Sequence, residues 1–243
     1  MKNEKLQFKN KNFKIGSGII IALDTSDLNN AKRLVKALLP RVKFFKIGLE
    51  LINTGKAPEL IKFIHGLGGK VFYDVKLNDI PNTVGGAIKV ISKLEVAMIS
   101  VHASMGRESL RVAVKNKEKS KIIGVTVLTS LKDKECRSIF GENSKNKVLN
   151  FADMLVAEKC YGIVCSANES KLLRRFKRFN NLIIITPGIR PVWAALNDQT
   201  RAVTPKEAID AGADYLVIGR PITAPPRKIG SSRDALNLII KEI

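Results

Sequence analysis

Apolar, β-branched runs alternate with amphipathic stretches from one end of the chain to the other. Eight of these runs read as strands: residues 17–24 (SGIIIALD), 42–47 (VKFFKI), 70–76 (KVFYDVK), 97–102 (AMISVH), 121–128 (KIIGVTVL), 161–166 (YGIVCS), 182–187 (LIIITP) and 214–219 (DYLVIG). Helical spacing of apolar residues marks the stretches between them, at 28–38 (LNNAKRLVKAL), 56–66, 82–94, 107–116, 147–159, 168–176, 205–211 and 232–242. Strands that are almost continuously apolar, each followed by a helix, indicate a parallel sheet covered on both faces. Eight such units in 243 residues predict an α/β fold, the (β/α)₈ or TIM barrel, whose usual length is roughly 200–250 residues. A doubly wound sheet is the runner-up. It carries a Gly-rich turn after its first strand, whereas here that strand runs into Leu23-Asp24-Thr25-Ser26 without a G-x-G-x-x-G. No low-complexity linker or solenoid-length repeat divides the chain. Residues 15–243 are therefore read as a single domain, and residues 1–14 as a basic, flexible N-terminal extension.

Composition narrows the class. A hydrophobic share of 45% supplies a core and excludes disordered, collagen-like and disulfide-scaffold chains. The longest apolar stretches fall well short of the roughly 18 residues that a spanning helix needs, so a soluble protein with no membrane partner is expected. The first fourteen residues lack an apolar h-region and a small-residue cleavage site, so they do not read as a secretory signal. Three cysteines, Cys136, Cys160 and Cys165, form no C-x-x-C pair and read as buried small hydrophobes in a reducing cytoplasm.

The formal net charge of +20 invites a nucleic-acid reading, since Lys and Arg neutralise phosphates. Against it, the cations are spread along the chain and aromatics for stacking are only 6% of residues. Of the 42 cations, 29 are Lys, accompanied by many Asn and Ile, a pattern that A- and T-rich codons produce without any partner. A solvated surface with no nucleic-acid partner is the expectation.

Candidate chemistry sits where a barrel places it, at the C-terminal ends of the strands. The first strand ends on Asp24, the second carries Lys46 at its end, and the third ends Asp74-Val75-Lys76. Positions i and i+2 of a strand face one side, so Asp74 and Lys76 point the same way. A surface ion pair at a strand end is the alternative reading when each is taken alone. Four such residues at three successive strand ends form an alternating carboxylate–ammonium array, which keeps a Lys charged and available as an acid. Such a site delivers a proton to a developing carbanion, and its fixed carboxylate repels a substrate carboxylate. The later loops suit a phosphate: Thr186-Pro187-Gly188-Ile189-Arg190-Pro191 after strand seven and Gly219-Arg220-Pro221 after strand eight. Glycine lets backbone N–H groups approach an anion and Arg binds it in bidentate fashion; Gln199 adds a neutral donor between the two loops.

Other chemistries find little support. His65 and His102 are far apart, and no His/Cys/Asp cluster has metal-ligand spacing, so no metal is expected. His65 reads as a helix-face residue, and His102 either lines the site or caps the barrel. There is no nucleophile elbow or Walker loop. Trp193 is either a lid or a packing residue.

At this point the residues resemble a known family. The segment DVKLNDIPNTV (74–84), with IALD ending at Asp24 and FKIG around Lys46, is similar to orotidine 5′-phosphate decarboxylases. So are VHAS (101–104), VTVLTS (125–130), VCSA (164–167), TPGIRP (186–191) and DYLVIGRPIT (214–223). The likeness runs in order from about residue 18 to the C-terminus; the first fourteen residues have no counterpart, and Asn78 stands where the family more often has His.

The resemblance implies conversion of orotidine 5′-monophosphate to UMP and CO₂, the last step of UMP synthesis, without metal or organic cofactor. It implies Lys76 as the general acid toward C6 of the pyrimidine, Asp74 beside the departing carboxylate, and Lys46 and Asp24 completing the array and touching the ribose. Asp79, with Ile80 and Thr83, would reach the neighbouring subunit's site in a homodimer with shared active sites. Thr129 and Ser130 match the pyrimidine-contacting loop; Gln199, Gly219, Arg220 and Arg190, with Pro187 in the same loop, match the phosphate clamp. The main alternative keeps the barrel: relatives with a D-x-K-x-x-D string act on sugar phosphates with Mg²⁺.

Overall fold

The computed structural model describes residues 18–194 and 202–243. The expected extension at 1–14 and Gln199 lie outside the described residues. Eight parallel strands pair in chain order and close into a barrel: β1 (Ile19–Ala22), β2 (Phe44–Ile47), β3 (Lys70–Leu77), β4 (Met98–His102), β5 (Lys121–Val125), β6 (Gly162–Val164), β7 (Ile183–Thr186) and β8 (Tyr215–Ile218), with β8 pairing back onto β1. The helices are α1 (Leu28–Leu38), α2 (Leu49–Ile52), α3 (Ala57–Gly66), α4 (Pro81–Ser92), α5 (Gly106–Asn116), α6 (Asp133–Phe140), α7 (Ser144–Ala157), α8 (Ala167–Leu173), α9 (Pro205–Asp210), α10 (Arg220–Thr223) and α11 (Ser232–Glu242). The TIM-barrel expectation is met.

Burial on both faces explains why the strands read as continuous apolar runs. In β1, Ile20 and Ala22 point inward and pack with Phe72, Met98, Ile123, Ile185 and Val217 inside the barrel. Ile19 and Ile21 point outward, into the larger core under the helices that holds Leu34, Val35 and Leu38 of α1. Period-2 alternation thus serves two cores rather than a core and solvent. Helix α1 starts where Asp27 accepts hydrogen bonds from the Asn29 and Asn30 N–H groups, and it buries Ala31, Leu34, Val35 and Leu38 against the sheet. At Gly124 of β5 any Cβ would run into the Leu155 side chain of α7, so glycine is what lets that helix lie close.

Three helices go beyond the sequence expectation. Helix α6 places Cys136, Ile139 and Phe140 at helical spacing, but its eight residues fall short of the roughly 11–18 over which that period is read. Helices α2 and α10 span four residues each, too short for a helical period to show.

Strand β3 is irregular where it matters. Its register against β4 shifts between Tyr73 and Leu77, and Lys76 sits at φ 52°, a left-handed conformation that costs a non-glycine residue about 1–2 kcal/mol.

Candidate active site

A cavity of about 460 Å³ opens at the C-terminal end of the barrel. Its floor is the inner core, through Ala22, Phe72 and Val217. One wall carries Asp24, Lys46, Asp74 and Lys76 from the ends of β1, β2 and β3. The facing wall carries Val127, Leu128 and Thr129 after β5, and Pro187, Gly188 and Arg190 after β7 meet Gly219 and Arg220 after β8.

The four charged residues form one chain of contacts. Lys46 Nζ lies 2.7 Å from Asp24 Oδ1 and 3.4 Å from Asp74 Oδ2, and Lys76 Nζ lies 2.8 Å from the same Asp74 oxygen. The Lys46 and Asp74 side chains are 10% and 9% exposed, whereas Lys76 is 31% exposed, so Lys76 is the more open of the two ammoniums that line the cavity. Burial is the largest single influence on Asp74 and pushes its carboxyl upward. The Lys46 and Lys76 charges, with hydrogen bonds from Lys76 and Ser100, outweigh it and hold the group below its ordinary value. Burial likewise opposes the charge on Lys46, but Asp74 and Asp24 together raise its affinity for a proton above normal. A carboxylate locked ionised against two ammoniums is the electrostatic core of the site.

Two residues in this cluster escape sequence reading. Ser100 of β4 is fully buried; its Oγ donates to Asp74 Oδ1 at 2.8 Å and accepts from the Lys76 N–H at 2.8 Å. A signal did exist, since Ser100 is the polar residue between inward Met98 and His102 at period 2. Gly48, just after β2, is the other: a Cβ there would come within 3.0 Å of both Asp24 Oδ1 and Lys46 Nζ, so the missing side chain leaves room for their bridge.

The loops after β7 and β8 bring two guanidiniums to the cavity, with Gly219 close to Asp24. Arg190 is buried, its Nη1 donates to the Ile189 carbonyl at 3.2 Å, and its Nε has no hydrogen-bond partner among the described residues. Burial foremost, then the Arg220 charge, lowers its proton affinity. Two guanidiniums brought together this way suit an anion, which Arg binds in bidentate fashion. The Arg190 N–H donates to the Val203 carbonyl at 2.8 Å, tying the chain on either side of the β7–β8 connection.

The remaining expected residues are placed differently. Asp79, Ile80 and Thr83 lie on the exposed β3–α4 connection and first turn of α4, outside the lining of their own chain's cavity. Ile80 is 66% exposed. Ser130 is exposed beside Thr129 but does not line the cavity. His102 is partly buried, and burial, then the Lys76 charge, lowers its proton affinity against the opposing pull of Asp74. Trp193 is partly buried and packs on the outer core. The three cysteines are buried, and burial pushes the Cys160 thiol up to about 12.

Known proteins resemble this chain in sequence and in fold. The model of the "Orotidine 5′-phosphate decarboxylase / HUMPS family" matches residues 17–234. An orotidine 5′-phosphate decarboxylase of Ehrlichia chaffeensis is 43% identical over 226 residues, covering 92% of this chain and 97% of the relative. One from Hahella chejuensis is 40% identical over 233 residues, covering 94% and 97%. The crystal structure of orotidine 5′-phosphate decarboxylase from Lactobacillus acidophilus superposes with a TM-score of 0.78 at 29% identity, covering 93% of this chain and 98% of that one.

Proposed function

The chain belongs to the orotidine 5′-phosphate decarboxylase / HUMPS family, and from that membership we propose how its barrel mouth works. The protein is a carboxy-lyase that converts orotidine 5′-monophosphate to UMP and CO₂, closing the synthesis of UMP. The observation that carries the reading is the Asp24–Lys46–Asp74–Lys76 chain, with its most exposed ammonium, Lys76, facing the cavity.

In the proposed complex, Arg190, Arg220, Gln199 and the backbone at Gly219 hold the phosphate, with Pro187 shaping the loop. Thr129 and Ser130 address the pyrimidine, and Asp24 and Lys46 the ribose. The substrate carboxylate then falls against Asp74. That carboxyl cannot relieve the repulsion by taking a proton, because Lys46 and Lys76 hold it ionised. The C6–carboxylate bond breaks, its electron pair stays on C6, and CO₂ leaves without charge. Repulsion present in the ground state is therefore relieved as the bond breaks, which lowers the barrier rather than merely tightening binding. The Lys76 ammonium passes a proton to C6, and neutral Lys76 regains one from solvent, so each turnover consumes one proton.

The same reading assigns no metal or organic cofactor. Both carboxylates at the mouth are matched to ammonium groups, which favours it over Mg²⁺-dependent chemistry on a sugar phosphate. It also makes the working enzyme a homodimer in the cytoplasm, in which Asp79, Ile80 and Thr83 complete the neighbouring subunit's site. Among the described residues no helix is long and apolar enough to cross a membrane. The ultraviolet absorbance of orotidine 5′-monophosphate, followed with purified protein, tests the activity. Turnover at equal rates with and without EDTA is expected; no turnover, or turnover abolished by the chelator, would contradict the assignment.

A further inference from the structure

We propose that Ser100 is a positioning residue for the decarboxylation: its hydroxyl couples the aim of the Asp74 carboxylate to the strained backbone that presents Lys76. This rests on the reading of the site given above.

A serine hydroxyl has one proton to give and two lone pairs to accept with. At Ser100 the proton goes to Asp74 Oδ1, at 2.8 Å. That contact leaves Oδ2 as the oxygen shared by Lys76 Nζ at 2.8 Å and Lys46 Nζ at 3.4 Å. A lone pair of the same Oγ accepts the Lys76 N–H, at 2.8 Å. This is the N–H that the register shift of β3 against β4 takes out of the strand ladder, at the residue held at φ 52°. The result is a closed loop of contacts, from Ser100 to the Asp74 carboxylate, through it to the Lys76 ammonium, and back along Lys76 to its own amide.

Both halves of the loop matter to chemistry. An unpaired buried amide is costly, so without the hydroxyl Lys76 has a reason to leave its left-handed conformation and swing its ammonium out of line. Without the donor, Asp74 also loses one of the four influences that keep it ionised against burial. The charged and titratable groups around that carboxylate are Asp24 from β1, Lys46 from β2, Lys76 from β3 itself and His102 from β4. Ser100 is the neutral member of the set and is fully buried, with no surface to offer substrate. Its action therefore runs through Asp74 and Lys76 alone.

Steady-state kinetics of Ser100→Ala and Ser100→Thr, beside the wild type, test the assignment. In Ser100→Ala, kcat should fall about ten- to a hundred-fold, as expected for a lost hydrogen bond to a charged group. KM should stay within about two-fold, because the phosphate and ribose contacts are untouched. The acid limb of the kcat profile should move to higher pH, since Asp74 then takes a proton more readily. Ser100→Thr keeps the hydroxyl and should recover most of kcat and the original acid limb. Where the alanine variant does not fold, Ser100→Cys, a weak donor of similar size, carries the same prediction. Wild-type kcat and acid limb in Ser100→Ala overturn the positioning role and leave the decarboxylase reading standing. So does equal loss in the alanine and threonine variants with a matching drop in Tm. A wild type that does not turn over orotidine 5′-monophosphate overturns both.

Discussion

Asp74 and Lys46 are each charged in spite of burial, so the folded protein stabilises their ionised forms and its stability must follow pH accordingly. The Asp74 carboxyl is held below its ordinary value of 3.8. Its contribution is full above that value and fades as pH falls through the lower, folded one. Lys46 is raised above its ordinary 10.5. Its contribution is full below that value and fades as pH rises through the higher, folded one. Urea denaturation across pH should therefore show stability declining at both extremes. Asp74→Asn should flatten the acid decline relative to the wild type; parallel curves for the two proteins would remove Asp74 from the balance. Lys46 and Lys76 also show how far single residues were legible. Charge at an apolar strand end is conspicuous, and all four members of the array stand out in the sequence. Ser100 does not, because a lone serine in MISVH carries no charge, and its importance comes from a neighbouring strand.

At the scale of elements, the eight strands were legible because each buries both faces and so leaves a long apolar run. The irregularity in β3 was not, since nothing in DVKL announces a lysine in the left-handed region. Helix α6 was hidden by its length, since eight residues carry a single set of apolar positions, Cys136, Ile139 and Phe140. The β3–α4 connection carries a consequence for assembly. Asp79, Ile80 and Thr83 are exposed and outside the lining of their own cavity, which suits residues that serve a second copy of the chain. Asp79→Ala and Lys76→Ala proteins, each inactive alone, should therefore recover activity when mixed and reassembled. Random pairing gives about a quarter of the wild-type rate, because half the dimers are mixed and each has one intact site of two. An inactive mixture with proven subunit exchange would place Asp79 outside the shared site.

Across the whole molecule, the net charge of +20 contributes little to the chemistry. Among the residues lining the cavity the lysines are Lys46 and Lys76, both bound to carboxylates, and the arginines are Arg190 and Arg220. The rest of the excess lies elsewhere on the chain and acts on an anionic nucleotide as a field that salt screens. The cavity draws on strands around the ring: β1 to β3 supply the charge array, and under the proposed function the loop after β5 meets the pyrimidine and those after β7 and β8 the phosphate. The most direct test of that account is the turnover of orotidine 5′-monophosphate by Lys76→Ala, with UMP binding measured on the same sample. A loss in kcat of at least about 10²-fold, the scale of a positioned general acid, is expected with UMP still bound; kcat near that of the wild type would remove Lys76 from the proton transfer.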